Sequence, residues 1–138
     1  RAILTGVLER HESLNLLCSH AGGAICMIAD RLDFGHELRD YAPLGPWGEV
    51  RLARPPKDYV RRLWLDTVVY GSDPLRLALA TVGAERLCFG SDGPPVPFPI
   101  SRHLAMVDEL GLAEDARVAV LGANAQALFG LEDARSAT

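Results

Sequence analysis

Two short stretches of this chain carry residues that do chemistry. "NLLCSHAGGA" (Asn15 to Ala24) is an apolar run that ends in Ser19-His20 and breaks at once into small residues. Further along, "RLCFGSDGPP" (Arg86 to Pro95) repeats the form with Ser91-Asp92 followed by Gly and Pro. An imidazole moves protons near neutral pH and binds metals, and a carboxylate is a hard oxygen ligand for zinc and similar ions. A histidine and an aspartate that each end an apolar strand therefore suit acid–base or metal-assisted chemistry. Either stretch alone also reads as an ordinary turn, and it is the pair that points to a site.

The elements that must position them follow from the pattern. Ala2 to Arg10 reads as the tail of a helix, and Leu14 to Ser19 as a strand apolar on both sides, which suits a parallel sheet. Gly22-Gly23 breaks it, and a helix over Ala24 to Phe34 places Ile25, Ile28 and Leu32 on one face. From Gly35 to Pro56 four of the nine prolines predict a long surface loop, of the kind that forms lids or subunit contacts. A short helix near Lys57 to Arg62 precedes "RLWLDTVVY", whose β-branched and aromatic residues predict a strand. Ser72 or Asp73 suits a helix cap with Pro74 at the first helical position. That helix runs to Val82 with Leu75, Leu79 and Val82 inward, and Gly83 ends it. Arg86 to Gly90 is the third strand. Helices over Ser101 to Leu110, Ala113 to Leu121 and Asn124 to Phe129 close the chain before a tail at about 131–138. Alternating strands and helices predict a parallel sheet with right-handed crossovers. In such sheets reactive groups collect at the carboxyl ends of the strands, where His20 and Asp92 fall.

Composition sets the outer limits. The 138 residues are 49% hydrophobic and 23% charged, with a net charge of −4, as in ordinary globular domains. That charge gives no electrostatic reason to expect nucleic acid or an anionic membrane surface as partner, and no apolar stretch is long enough to span a bilayer. Cys18, Cys26 and Cys88 are odd in number and lack CxxC spacing, which predicts reduced thiols and a cytoplasmic setting. The chain opens Arg1-Ala2-Ile3-Leu4 with no initiator methionine, and three strands leave a parallel sheet with two open edges. Both features read as a piece of something larger.

Three segments carry a family resemblance: "LNLLCSHAGGAICMIADRLD", "RLWLDTVVYGSDPLRLALATVGAERLCFGSD" and "VLGANAQALFGL". Together they resemble the C-terminal half of the amidohydrolase-related family, the group that includes aminocarboxymuconate-semialdehyde, resorcylate and carboxyvanillate decarboxylases. The strand "WLDTVVY" leans toward the first of these. The resemblance implies an α/β fold, about three parallel strands with helices from the C-terminal part of a TIM-like (β/α)8 metal-dependent hydrolase barrel, with one domain over 1–138. It implies His20 as the catalytic acid/base, Asp92 as a metal ligand, and Arg31 as a clamp for the substrate carboxylate across a subunit boundary. A guanidinium suits that last task because its planar fork meets a carboxylate in two hydrogen bonds. The alternative for Arg31 is an ion pair with Asp30, Asp33 or Glu37. The implied cofactor is a divalent metal, with zinc the expected ion. The implied activity is non-oxidative decarboxylation of a small unsaturated or aromatic carboxylic acid. Hydrolysis or hydration on the same scaffold, such as lactone opening, and a catalytically incomplete self-associating domain are the alternatives.

The chain also departs from the family. The HxH of the first strand and the histidine of the fifth are absent; the histidines are His11, His20, His36 and His103, and the other three read as structural. One aspartate and one histidine fall short of three protein ligands, so the chain alone is expected to bind metal weakly and to be inactive. Either the chain is a fragment, or a companion chain supplies the front half of the barrel, or it is a decayed remnant; the expected partners are a homo-oligomer or the missing N-terminal half of the barrel. Gly93-Pro94 stands where the family has an aromatic residue then proline, and Phe98 is a candidate to fill that space. Asp66 reads as a carboxylate inside a strand, either structural or behind the metal. Arg51, Arg54, Lys57, Arg61 and Arg62 read as a solvated face or subunit contact, Tyr41 and Trp47 as loop aromatics over a site or interface, and Cys18 and Cys88 as core.

Overall fold

The protein is described by a computed structural model covering residues 1–41 and 50–131. Trp47 and residues 132–138 lie outside the described residues. Three parallel strands, β1 (Leu17–Cys18), β2 (Trp64–Asp66) and β3 (Leu87–Cys88), form one sheet in the order β1-β2-β3. Cys18 pairs with Leu65 and Leu65 with Leu87, while Asp66 pairs with Cys88. Side chains alternate between faces along a strand, so Leu65 and Leu87 face one way while Trp64, Asp66 and Cys88 face the other.

The ordered β ladder is shorter than the apolar runs predict. In "WLDTVVY" it stops at Asp66: the Thr67 N–H still donates to the Cys88 carbonyl (3.0 Å), but the Val68 N–H turns to Asp66 Oδ1 (3.0 Å) and the Val69 N–H to the Thr67 carbonyl (2.8 Å). Helices α1 (Val7–Arg10), α2 (Ile25–Leu38), α3 (Pro56–Val60), α4 (Ser72–Val82), α5 (Ile100–Asp108), α6 (Glu114–Val118) and α7 (Asn124–Phe129) surround the sheet, with a π-turn at Ala119–Ala123 between the last two. Leu65, Leu75, Leu87, Val60 and Val120 are fully buried at the centre, with Leu8, Tyr59 and Val107 around them.

Several expectations change. α2 runs on through Gly35 and His36 to Leu38, so the Pro-rich loop starts later and His36 sits in the helix beside Arg39. The buried residues of α2 are Ala29 and Gly35, and Ile28 is exposed, since small side chains admit the closest helix approach. α4 starts at Ser72, with Gly71 as its cap and no side-chain cap bond; Pro74 therefore sits at the third helical position, still in the first turn, where its missing N–H is no loss. Of its predicted inner face, Leu75 and Val82 are buried, joined by Ala78, and Leu79 is half-buried. Among the cysteines Cys88 is buried and Cys18 half-buried, and all three are free thiols. Asn124 of α7 donates from Nδ2 to the carbonyls of Ala84 (2.8 Å) and Leu87 (2.7 Å) and fixes the entry to β3. No helix among the described residues is long and apolar enough to cross a membrane.

Candidate active site

β1 and β3 flank β2, and both deliver their chemistry-bearing residue just past the carboxyl end. Neighbouring strands lie about 4.8 Å apart, so the two loops are held roughly 10 Å apart across β2.

His20 begins a turn of four consecutive residues with positive φ: His20 (55°), Ala21 (49°), Gly22 (73°) and Gly23 (61°). Glycine adopts this region freely, but each non-glycine residue costs about 1–2 kcal/mol there. The turn is held by Gly22 N–H donating to the Ser19 carbonyl (3.0 Å) and Gly23 N–H to that of His20 (2.8 Å). It is also held from β2: the Ala21 N–H donates to Asp66 Oδ1 at 3.0 Å. The same oxygen accepts the Val68 N–H at 3.0 Å. Asp66 thus ties β2 to the turn that presents the imidazole, which answers the question its sequence position raised. A Cβ on Gly22 would stand 2.6 Å from Ile25 Cγ2 and 2.9 Å from Leu65 Cδ2. Gly22→Ala is accordingly expected to cost about 2 kcal/mol from crowding and positive φ, read as a lower midpoint in urea; an unchanged midpoint would mean that the turn is not as tight as described.

Asp92, at φ 56°, completes the set of non-glycine residues with positive φ among the described residues. Such outliers gather at functional sites because the surroundings must over-determine them. Here the surroundings come from the segment just past β2. The buried Thr67 Oγ1 accepts the Gly90 N–H at 3.1 Å, and the Tyr70 hydroxyl donates to Asp92 Oδ2 at 2.7 Å. Gly90 has to be glycine, since a Cβ there would lie 2.7 Å from Val68 Cγ2. Tyr70 is exposed and its phenol is held above the usual range, first by the Asp92 bond. The thiols of Cys18 and Cys88 are pushed up, first by burial and then by the Asp66 charge.

The imidazole of His20 is exposed and lines a cavity of about 310 Å3 with Ala21, Cys26, Met27, Val69 and Asp73. Asp92 does not line it. His20 and Asp92 thus share an edge of the sheet without touching. Arg31 lies further along α2 and is exposed. The ion pairs open to it in the sequence do not form: Asp30 pairs with Lys57, and Asp33 accepts the Lys57 N–H at 2.7 Å. Arg31 makes no hydrogen bond or ion pair among the described residues. It stands between Met27 (75% exposed) and Phe34 (61% exposed) at i−4 and i+3, and borders a cavity of about 220 Å3 with Phe34, Gly35 and Leu38.

His11 is exposed at the amino end of β1 and His103 is buried in α5. The basic stretch is largely occupied: Arg51 with Asp40, Lys57 with Asp30, Arg61 with Asp58, and Arg62 with the carbonyls of Leu8 and Glu12. Tyr41 is exposed.

A divalent metal fits these residues only in part. Asp92 Oδ1 has no hydrogen-bond partner among the described residues and could serve as one oxygen ligand. No group of three or more His, Cys, Asp or Glu residues able to hold a metal occurs among the described residues.

A parallel α/β sheet with a histidine and an aspartate on left-handed turns at its carboxyl edge defines the class. The sequence pattern of the amidohydrolase family matches residues 1–131, and the chain belongs to that family. Within it, the chain is 24% identical over 135 residues to 2-amino-3-carboxymuconate-6-semialdehyde decarboxylase of Dictyostelium discoideum. That match takes in 94% of this chain and 35% of the relative. The structure of 5-carboxyvanillate decarboxylase from Sphingomonas paucimobilis superposes with a TM-score of 0.81 at 26% identity, over 95% of this chain and 38% of that one. A dihydroxybenzoic acid decarboxylase from Polaromonas sp. JS666, solved with bound manganese and the inhibitor 2-nitroresorcinol, shares the fold (TM-score 0.74, 22% identity, 98% and 39% covered). The chain thus spans little more than a third of the length of these proteins.

Proposed function

We propose that this chain supplies strands six to eight of a (β/α)8 barrel whose activity is metal-dependent, non-oxidative decarboxylation of a small unsaturated or aromatic carboxylic acid. The observation that carries the reading is the pair of left-handed turns, at His20 and Asp92, on one carboxyl edge, in a chain whose relatives are named as decarboxylases.

Each residue has a task in this reaction. Decarboxylation breaks a carbon–carbon bond, releases CO2 and leaves an electron pair on carbon that a proton must quench. His20 would deliver that proton; the imidazole is exposed to the edge and set by the Asp66-anchored turn, and a positioned imidazole is the most common general acid. Arg31 would hold the substrate carboxylate, its guanidinium free of partners among the described residues. The exposed Met27 and Phe34 beside it suit burial against a second copy, which would place Arg31 at a subunit boundary. Asp92 would contribute one oxygen to a divalent metal, with zinc the proposed ion; the metal, when bound, stabilises developing negative charge and acidifies bound water. The remaining ligands would come from outside the described residues. Cytoplasmic residence is part of the same proposal.

The test is CO2 release from 5-carboxyvanillate, 2,6-dihydroxybenzoate and 2-amino-3-carboxymuconate-6-semialdehyde, with zinc or manganese added. Turnover of one of them by the completed barrel, and none by the chain alone, is the expected result. A completed, metal-loaded protein that decarboxylates none would contradict the reading and favour the non-catalytic, self-associating domain.

A further inference from the structure

The residue that touches Asp92 was selected by no motif. We propose that Tyr70 is a positioning residue for Asp92: its phenol fixes the carboxylate in one orientation and leaves Oδ1 as the single oxygen offered at the carboxyl edge. The inference deepens the reading of Asp92 as a cation ligand and rests on that reading for its last consequence only.

Asp92 needs such a support. Its backbone sits in the left-handed region, but that does not fix the side-chain torsions, and a half-buried carboxylate at a loop still has several rotamers open to it. The Tyr70 hydroxyl, 2.7 Å from Oδ2, removes that freedom. Oδ2 is then occupied, which favours one-oxygen over two-oxygen ligation. Carboxylate ligands are commonly held this way by a donor behind them, and loss of the donor weakens metal binding.

Tyr70 can hold Asp92 only if Tyr70 is itself held. Tyr70 is 56% exposed, yet its ring is braced on one side by two others. Phe98 packs edge-on at 6.0 Å and 74°, and His103 at 6.4 Å and 62°. Phe98 and His103 pack on each other at 5.7 Å and 70°, and the Arg102 guanidinium lies 4.5 Å over the Phe98 ring. His103 is 1% exposed and neither ring nitrogen has a hydrogen-bond partner among the described residues; it serves this cluster as an aromatic body. Phe98, the candidate for the space of the missing aromatic after Asp92, packs on Tyr70 and His103.

The experiment compares the 138-residue chain with its Tyr70→Phe variant, which keeps the ring and its packing and loses only the hydroxyl. The thermal midpoint is expected to stay within about 1 °C, since an exposed hydroxyl carries little stability. Three-bond couplings of the Asp92 β-protons are expected to report one rotamer in the parent chain and averaging in Tyr70→Phe; one rotamer in both would overturn the proposal. The second arm uses Mn2+ alone. Paramagnetic broadening is expected around Ser91–Gly93, absent in Asp92→Asn, with a half-saturating concentration about tenfold higher in Tyr70→Phe. An equal concentration in both chains would also overturn the proposal. Rotamer averaging in Tyr70→Phe, with no broadening at Asp92 even in the parent chain, would leave Tyr70 as the positioning residue and remove Asp92 as a cation ligand.

Discussion

His20→Ala in the completed barrel is expected to lower the decarboxylation rate by about 10²- to 10⁴-fold, the usual worth of a positioned acid or base. Stability and metal content should both survive. The His20 side chain makes no hydrogen bond among the described residues, and alanine at φ 55° bears about the same backbone strain as histidine. The proposed cation ligand is Asp92, on the other side of β2. Loss of rate with the metal retained therefore separates proton transfer from ligation. Equal rates in the two proteins would remove His20 from the mechanism.

The larger structural effect belongs to Asp66. Asp66→Ala leaves the Ala21 and Val68 N–H groups without the oxygen they share. Hydrogen bonds to a charged group are worth about 1.5–3 kcal/mol each, and the side chain is half-buried, so a total near 3 kcal/mol is expected. For a chain of this size that lowers the thermal midpoint by about 10 °C. Asp66→Asn keeps an acceptor oxygen in place and should lose no more than about 1 kcal/mol. The consequence for function is specific: without Asp66, only the turn's own two backbone bonds hold His20 and Ala21 in left-handed backbone, and His20 loses its anchor to β2. Calorimetry of the two variants decides the matter. Equal midpoints for Ala and Asn would show that the oxygen is not what anchors the turn.

Much of this was legible in the residues, for reasons that differ from element to element. The parallel three-stranded order followed from apolar runs alternating with 3.6-residue periodicity. His20 and Asp92 stood out because each ends an apolar run beside glycine, the residue that tolerates the turn each needs. Strand lengths were less legible. Trp64, Thr67, Val68, Val69 and Tyr70 all favour β structure, so propensity extended β2 to Tyr70. In the fold the ladder stops at Asp66, and the side chains of Asp66, Thr67 and Tyr70 reach to the flanking loops instead. β propensity registers a side chain's shape and is blind to where its oxygen bonds.

The same limit hid Tyr70. Its partner lies 22 residues away, and no local pattern marks a hydroxyl that meets a carboxylate across the sheet edge. Asp66 was visible as a carboxylate inside an apolar strand, but its target was an N–H group 45 residues back. Gly35 and the prolines beyond it predict a loop, which would end α2 at Phe34. Gly35 is instead buried in the helix, a position chosen for close packing. The ion pairs open to Arg31 were a matter of competition, since Asp30 and Asp33 are taken by Lys57 from across the Pro-rich segment.

The account stands on His20 and Asp92 serving one centre. The most direct measurement is a crystal structure of the completed barrel grown with zinc, with the ion located by its anomalous signal. The prediction is an ion about 2.0–2.2 Å from Asp92 Oδ1, with the Tyr70 hydroxyl still on Oδ2 and the His20 ring turned toward it. An ion bound away from Asp92, or a His20 ring pointing away from the carboxyl edge, would contradict it.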